Sequence, residues 1–122
     1  MVRLPLLYLL PVLLCKLLSA QPMVQKTPVI SEALIFPQQE KHVHASSIVS
    51  LPNGDLLAAW FHGSGERTAD DVKVMGARLK KGNTNWSQPF VLADTPDLPD
   101  CNPVLFLNSK GKLFLVWVAV QA

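Results

Sequence analysis

The chain of 122 residues has very little cysteine and no pattern for a metal or phosphate site. Cys15 falls in an apolar N-terminal segment, which leaves Cys101 as the only other cysteine. An internal disulfide is therefore excluded after that segment, and packing alone must stabilise the core. No His/Cys/Asp cluster has zinc spacing and no glycine loop has phosphate-binding form, so we expect no metal and no cofactor. We expect Cys101 to be a buried small thiol.

Charge of one sign is also scarce. The chain carries 11 Lys and Arg against 9 Asp and Glu. Removing the N-terminal segment takes away Arg3 and Lys16, which leaves 9 basic against 9 acidic residues. This balance gives no support to a nucleic-acid or anionic-membrane partner, and we expect neither.

Residues 1–20 have the features of a secretory signal peptide. Arg3 gives a positive start, residues 4–14 are apolar, and small residues lead up to Ala20. The apolar run is short for a membrane helix, although a retained anchor is the alternative. We expect a secreted or periplasmic protein with no membrane attachment after cleavage.

A β-hairpin pattern occurs twice in the rest of the chain. Residues 46–60 and residues 102–117 each read as strand, tight turn and strand, ending in tryptophans 57 positions apart. Leu51 and Leu107, beside the two turns, are 56 positions apart. A hairpin that recurs at this period is typical of stacked β units such as propeller blades. Coincidence in Leu- and Val-rich strands is the alternative.

The pattern around the repeat predicts strands, and no helical period is visible after the N-terminal segment. We expect strands at residues 45–51, 56–61, 72–79 and 90–93, a loop over 94–102, and then the second hairpin. These make about one and a half blades, preceded by a lead-in over residues 21–41. Propellers need more blades to close. Residues 42–122 are therefore interpreted as the N-terminal part of a longer propeller, the alternative being a complete two-sheet domain.

Alternation of strand direction predicts where a site lies. The start of the first strand and the loops 62–71 and 94–102 share one end of the sheet. Most of the His, Asp and Glu residues fall at that end. Because function on β scaffolds tends to lie in such loops, this end is the predicted active face.

Two segments resemble the sialidase superfamily, the propellers with BNR or Asp-box repeats. Residues 48–59 are similar to the first hairpin of that family, and residues 81–89 resemble a worn Asp box on the turn between strands three and four. The resemblance covers residues 43–120. It implies an all-β fold, a six-bladed β-propeller of the sialidase type, and an exo-α-sialidase-like glycosidase acting on glycans with acidic sugars.

The sequence departs from the family at two points. True sialidases begin strand one with an arginine that grips the sialate carboxylate, whereas His44 stands there in this chain. The Asp box has also lost its aspartate. The resemblance therefore supports the family's fold for this chain more strongly than it supports the family's reaction. A polysaccharide lyase with His44 as base and a non-catalytic glycan-binding propeller are the alternatives.

Three residues are candidates for catalysis. Asp70 and Glu66 lie on the loop where the family places its acid/base aspartate. They suit either the two-carboxylate machinery of glycoside hydrolysis or a tyrosine-assisted variant with the tyrosine from the missing part of the propeller. His44 can act as a general base or donate to a carboxylate near neutral pH. A solvated loop and a structural histidine are the alternative interpretations.

Three further residues are candidates for substrate binding. Arg67 is the only arginine of these loops, and a guanidinium can hold a substrate carboxylate with two parallel hydrogen bonds. Asp100 and Asn102 flank Cys101 at the start of the second hairpin and are candidates for hydrogen bonds to a sugar. The alternative for Arg67 is a surface ion pair with Glu66.

The signal-peptide interpretation has a direct test. Material recovered after export should begin at or near Gln21 on N-terminal sequencing, because residues 1–20 are removed. An exported protein that retains Met1 would contradict the interpretation.

Overall fold

The computed structural model describes residues 32–121. The predicted signal peptide and the first part of the lead-in, residues 21–31, lie outside the described residues. No helix within residues 32–121 is long and apolar enough to cross a membrane.

The described chain folds into six β-strands without a helix: β1 His42–Ser50, β2 Leu56–Gly63, β3 Lys73–Leu79, β4 Phe90–Ala93, β5 Asp100–Leu107 and β6 Leu113–Ala119. Strands β1 to β4 form one antiparallel sheet in chain order, and β5 pairs with β6 in a second sheet. The all-β prediction with antiparallel sheets is confirmed, as is the sequence of four strands followed by a new hairpin.

Two strands begin earlier than predicted, and three other boundaries, the ends of β1 and β2 and the start of β3, shift by one or two residues. Strand β1 begins at His42, three residues early, because His42 and Val43 continue the ladder with the end of β2. Strand β5 begins at Asp100 inside the predicted loop, because Asp100 pairs with Ala119 in β6. Both strands begin with polar residues, so the alternation of apolar residues does not reveal these extensions.

Strand β2 is the centre of the fold. It pairs with β1 on one edge and β3 on the other, and every residue from Leu57 to Phe61 is buried. On one face Leu57 and Ala59 pack with Val74. On the other face Trp60 packs with Phe36 of the lead-in, their ring centroids 4.7 Å apart. Burial on both faces explains why β2 reads as a continuous apolar run.

The second sheet packs face to face on the first. Leu105 of β5 joins Leu57, Ala59 and Val74 in one buried cluster. Two hydrogen bonds reinforce this contact: the Leu105 N–H donates to the Ser47 hydroxyl at 3.0 Å, and the Asp100 N–H donates to the Val72 carbonyl at 3.0 Å. Stacked sheets of this kind share one apolar layer.

The opposite face of the second sheet is apolar and exposed. Val104, Phe106, Val116 and Val118 are 43–53% exposed there. The Phe106 ring stacks on that of Phe114 with centroids 5.2 Å apart.

The two hairpins repeat in their turns. The N–H of Leu51 donates to the carbonyl four residues on at 2.8 Å, and that of Asn108 does the same at 3.0 Å. Each turn holds a glycine with positive φ, Gly54 (86°) and Gly111 (75°). Leu51 is thus equivalent to Asn108 rather than Leu107, and the offset is 57 residues in the turns as it is for the tryptophans.

The repeat extends to a β-bulge in the first strand of each hairpin. The β1–β2 register shifts around Ala45 and the β5–β6 register shifts around Asn102. Both residues lie in the left-handed region, with φ of 49° and 52°, again 57 positions apart. A shared bulge at one offset favours a true structural repeat, because bulges are specific local features.

The bulge generates a stability prediction. Because Ala45 is exposed with φ of 49°, Ala45→Gly removes strain, and the free energy of unfolding should stay level or rise by up to about 1 kcal/mol. Ala45→Val should lower it by about 1 kcal/mol or more, because a β-branched residue tolerates that φ poorly. Chemical denaturation measures both changes.

The matched control is Ser50→Val, on an exposed and regularly paired position of the same strand. It should be nearly neutral. Equal effects of valine at positions 45 and 50 would contradict a strained bulge.

Candidate functional site

The loops that follow β2 and β4 form a cleft of about 270 Å³ at the predicted end of the sheets. We call it the loop cleft; its lining residues are Arg67, Thr68, Asp70, Asp97, Leu98, Pro99, Val120 and Gln121. Two of the six candidate residues, Arg67 and Asp70, lie in it together.

Arg67 is exposed and makes only a weak ion pair with Glu66. Its φ is 63°, its side chain is 63% exposed, and its Nε lies 3.7 Å from the Oε1 atom of Glu66. An exposed ion pair of this length stabilises by roughly 0–1 kcal/mol. The pair is therefore weak enough for a different carboxylate to replace Glu66, which itself does not line the loop cleft.

Asp97 is a cleft residue that sequence reasoning missed. It lies in the left-handed region with φ of 60° and faces the same cleft as Asp70. The sequence predicts the loop 94–102 at this end of the sheet, but its candidate residues there are Asp100 and Asn102, which flank Cys101. The loop cleft thus combines two carboxylates with one guanidinium.

Asp71 braces the loop that carries Arg67 and Asp70. Its Oδ1 accepts from the Ser64 N–H at 2.9 Å and the Ser64 hydroxyl at 2.6 Å, and its Oδ2 lies 2.6 Å from the Lys41 Nζ. The Lys41 hydrogen bond, followed by those from Ser64, holds the pKa of Asp71 well below its ordinary value. Asp71 is therefore an ionised anchor for the loop.

Asp100 is fully buried, unlike an exposed sugar-binding group. Its Oδ2 accepts from the Thr95 N–H at 2.7 Å, and its Oδ1 accepts from the Trp117 Nε1 at 3.0 Å. These contacts fasten the loop 94–99 to β6. That loop forms one wall of the loop cleft. Asp100 therefore positions this wall without lining the cleft itself.

His44 and Asn102 do not line the loop cleft. The exposed His44 ring packs edge-on against Phe61, with centroids 5.7 Å apart and planes at 65°. Asn102 is exposed at the bulge of β5. Cys101 is buried beside Phe61 and Val72, as the sequence led us to expect.

Metal ligation finds no support in the described range. No group of three or more His, Cys, Asp or Glu residues within residues 32–121 is arranged to hold a metal ion.

Comparison with known families identifies the repeat. Residues 54–122, more than half of the chain, match the BNR repeat-like domain. The chain belongs to the BNR repeat-like domain family. The match supports the resemblance to the BNR-repeat, sialidase-like superfamily, and it contains both walls of the loop cleft. No curated protein and no solved structure matches the chain.

The buried carboxylate of this BNR repeat-like domain generates a second stability prediction. Asp100→Asn turns an amide N–H₂ toward one of two N–H donors, so one buried donor loses its acceptor. The free energy of unfolding should fall by about 1–3 kcal/mol, measured by chemical denaturation. Asp94→Asn is the matched control, because Asp94 is an exposed aspartate paired with Lys73. Its cost should not exceed about 1 kcal/mol. Equal costs for the two variants would contradict the positioning role.

Proposed function

We propose that this BNR repeat-like protein is an exported, sialidase-like glycoside hydrolase acting on glycans with acidic sugars. In this proposal its repeats belong to a six-bladed propeller. The observation that carries the proposal is the presence of Arg67 and Asp70 in one cleft, at the loop end of the sheets. Membership of the BNR repeat-like domain family supports the same reaction class.

Arg67 is the proposed anchor for the substrate carboxylate. A guanidinium matches a carboxylate with two parallel, charge-assisted hydrogen bonds. The only ion pair that Arg67 makes within residues 32–121 is the exposed one with Glu66. Breaking that weak pair costs little, so most of the new interaction energy is available for binding.

Asp70 is the proposed acid/base group, with a second carboxylate in the same cleft. Glycoside hydrolysis ordinarily needs two carboxyl groups on either side of the scissile bond, or a tyrosine nucleophile in sialidases. The only tyrosine of the chain is Tyr8, within the predicted signal peptide. Within this chain Asp97 is the better partner for Asp70, since Glu66 does not line the cleft. His44, the third catalytic candidate, also does not line the loop cleft.

The two alternatives differ in what they require. A lyase would use His44 as the proton-abstracting base, but His44 packs on Phe61 away from the residues that line the loop cleft. A non-catalytic glycan-binding domain needs Arg67 alone and makes no demand on Asp70. The arrangement of Arg67 with two carboxylates therefore favours the hydrolase.

Arg67→Lys tests the proposal in the full-length protein. Lysine keeps the charge but lacks the planar fork, so turnover of a fluorogenic sialoside should fall by about 30-fold or more. Thermal unfolding should be unchanged, because the side chain is 63% exposed. Lys110→Arg, on the far β5–β6 turn, is the control and should keep full activity.

Near-wild-type turnover by both Arg67→Lys and Arg67→Ala would eliminate the role. Asp70→Asn and Asp97→Asn separate catalysis from binding. Each should abolish turnover while the sialoside still binds. Turnover that survives both changes would contradict the hydrolase.

A further inference from the structure

A second cleft lies at the opposite end of the first sheet. The turn between β3 and β4 encloses about 260 Å³. We call it the turn cleft; its lining residues are Arg78, Lys80, Asn83, Asn85, Trp86 and Ser87. Strand β3 separates it from the loop cleft, and seven extended residues span about 20 Å. The two clefts are therefore independent sites.

The turn cleft is cationic. Arg78 and Lys80 line it, and no carboxylate does. The nearest counter-ion of Arg78 is Asp55, at 3.9 Å between Nη1 and Oδ2. The Asp55 carboxylate already accepts from the Lys81 N–H and the Asn53 amide, each at 2.9 Å. Asp55 thus makes only a long contact to Arg78, whose side chain remains 45% exposed.

Trp86 provides a fixed apolar surface in the turn cleft. One side of this half-buried residue packs against the cluster of Ala58, Trp60 and Ala77. It also lines the cleft. A ring held by the core keeps its orientation, so little conformational entropy is lost when a ligand stacks on it. The apolar face of a pyranose ring fits such a surface, because aromatic rings offer large rigid contact area.

Ser87 fixes the cleft walls relative to each other. The Ser87 N–H donates to the Arg78 carbonyl at 2.8 Å, and the Arg78 N–H donates to the Ser87 hydroxyl at 3.0 Å. The backbones that carry Arg78 and Trp86 are therefore held together before any ligand arrives. Such preorganisation favours binding at a small site.

We propose that the turn cleft binds a saccharide that carries an anionic group, with Arg78 and Lys80 on the anion and Trp86 under the sugar ring. The side-chain amides of Asn83 and Asn85 supply donors and acceptors for hydroxyl groups. The combination selects for both features of the ligand. A neutral sugar leaves the cations without a partner, and a small inorganic anion leaves Trp86 unused.

The loop cleft lacks this charge pattern. It holds two aspartates with its arginine, whereas the charged residues that line the turn cleft are both cations. The turn cleft therefore serves as a separate holding site for acidic glycan, and it does not depend on hydrolysis at the loop cleft.

Isothermal titration calorimetry on the intact chain tests the proposal. Three saccharide probes are used: a galacturonate tetramer, a heparin-derived tetrasaccharide and neutral cellotetraose. Inorganic sulfate is a fourth probe, for a small anion without a sugar ring. At least one acidic probe should bind, and which one binds separates a carboxylate ligand from a sulfated ligand. Cellotetraose should bind at least about tenfold more weakly, because charge-assisted contacts are lost. Affinity should fall as salt is raised.

Substitutions locate the site. Arg78→Gln and Lys80→Gln should each weaken binding of the acidic probe by about fivefold or more, with the fold verified by circular dichroism. Trp86→Phe should retain binding better than Trp86→Ala, since a smaller ring still stacks. The double variant Lys110→Gln, Lys112→Gln is the matched control. It removes two cations from the β5–β6 turn and should leave affinity unchanged.

Four results would overturn the proposal. The first two are no heat with either acidic probe and equal binding of cellotetraose. The other two are a loss of binding in the Lys110 and Lys112 double variant as large as in Arg78→Gln, and binding of inorganic sulfate as tight as that of the acidic probe. Arg67→Lys separates the two sites. It should lower sialoside turnover by about 30-fold or more and leave this binding intact, so failure of either site is seen without the other.

Discussion

The contact between Leu105 and the Leu57, Ala59 and Val74 cluster holds the two sheets together, and the loop cleft depends on it. One cleft wall is the loop from β2 to β3 within the first sheet, and the other is the loop that crosses from β4 of the first sheet to β5 of the second. Burial of this apolar layer brings the sheets together, and Asp100 then ties the second wall to β6 through Thr95 and Trp117. Packing supplies the attraction, whereas the buried carboxylate supplies the orientation.

Much of the fold could be predicted from local patterns. The Asn53–Gly54 turn and the buried run of β2 are short-range signals, since a positive φ and burial on both faces leave marks in neighbouring residues. The bulges at Ala45 and Asn102 left no such mark, because alternation alone does not reveal an extra residue. The 56-residue offset of Leu51 and Leu107 has a different origin, because it pairs two leucines by residue type, whereas the turn hydrogen bonds pair Leu51 with Asn108.

The candidate site was harder to predict than the strands. Asp70 and Arg67 were found because strand direction alone decides which loops share an end. Asp100 was expected to contact substrate, yet its carboxylate is fully buried and accepts a hydrogen bond from Trp117, 17 residues along the chain. The spacing of residues along the sequence does not predict hydrogen-bond partners that are this far apart in the chain. The same limit applies to Asp97, whose place in the cleft depends on how its loop folds back.

The exposed face of the second sheet has a consequence for assembly. Phe114 and Val116 are the equivalents, 57 positions on, of Leu57 and Ala59, the residues that receive Leu105. The face of a sheet that accepts the next unit, as Leu57 and Ala59 accept Leu105, is the receiving face, and the face that carries Leu105 is the inserting face. In the second sheet these are two different surfaces. A contact of this kind is heterologous, so every added unit presents the same receiving face again. If this contact is repeated, an open row of units leaves one such face in water, whereas a closed ring leaves none.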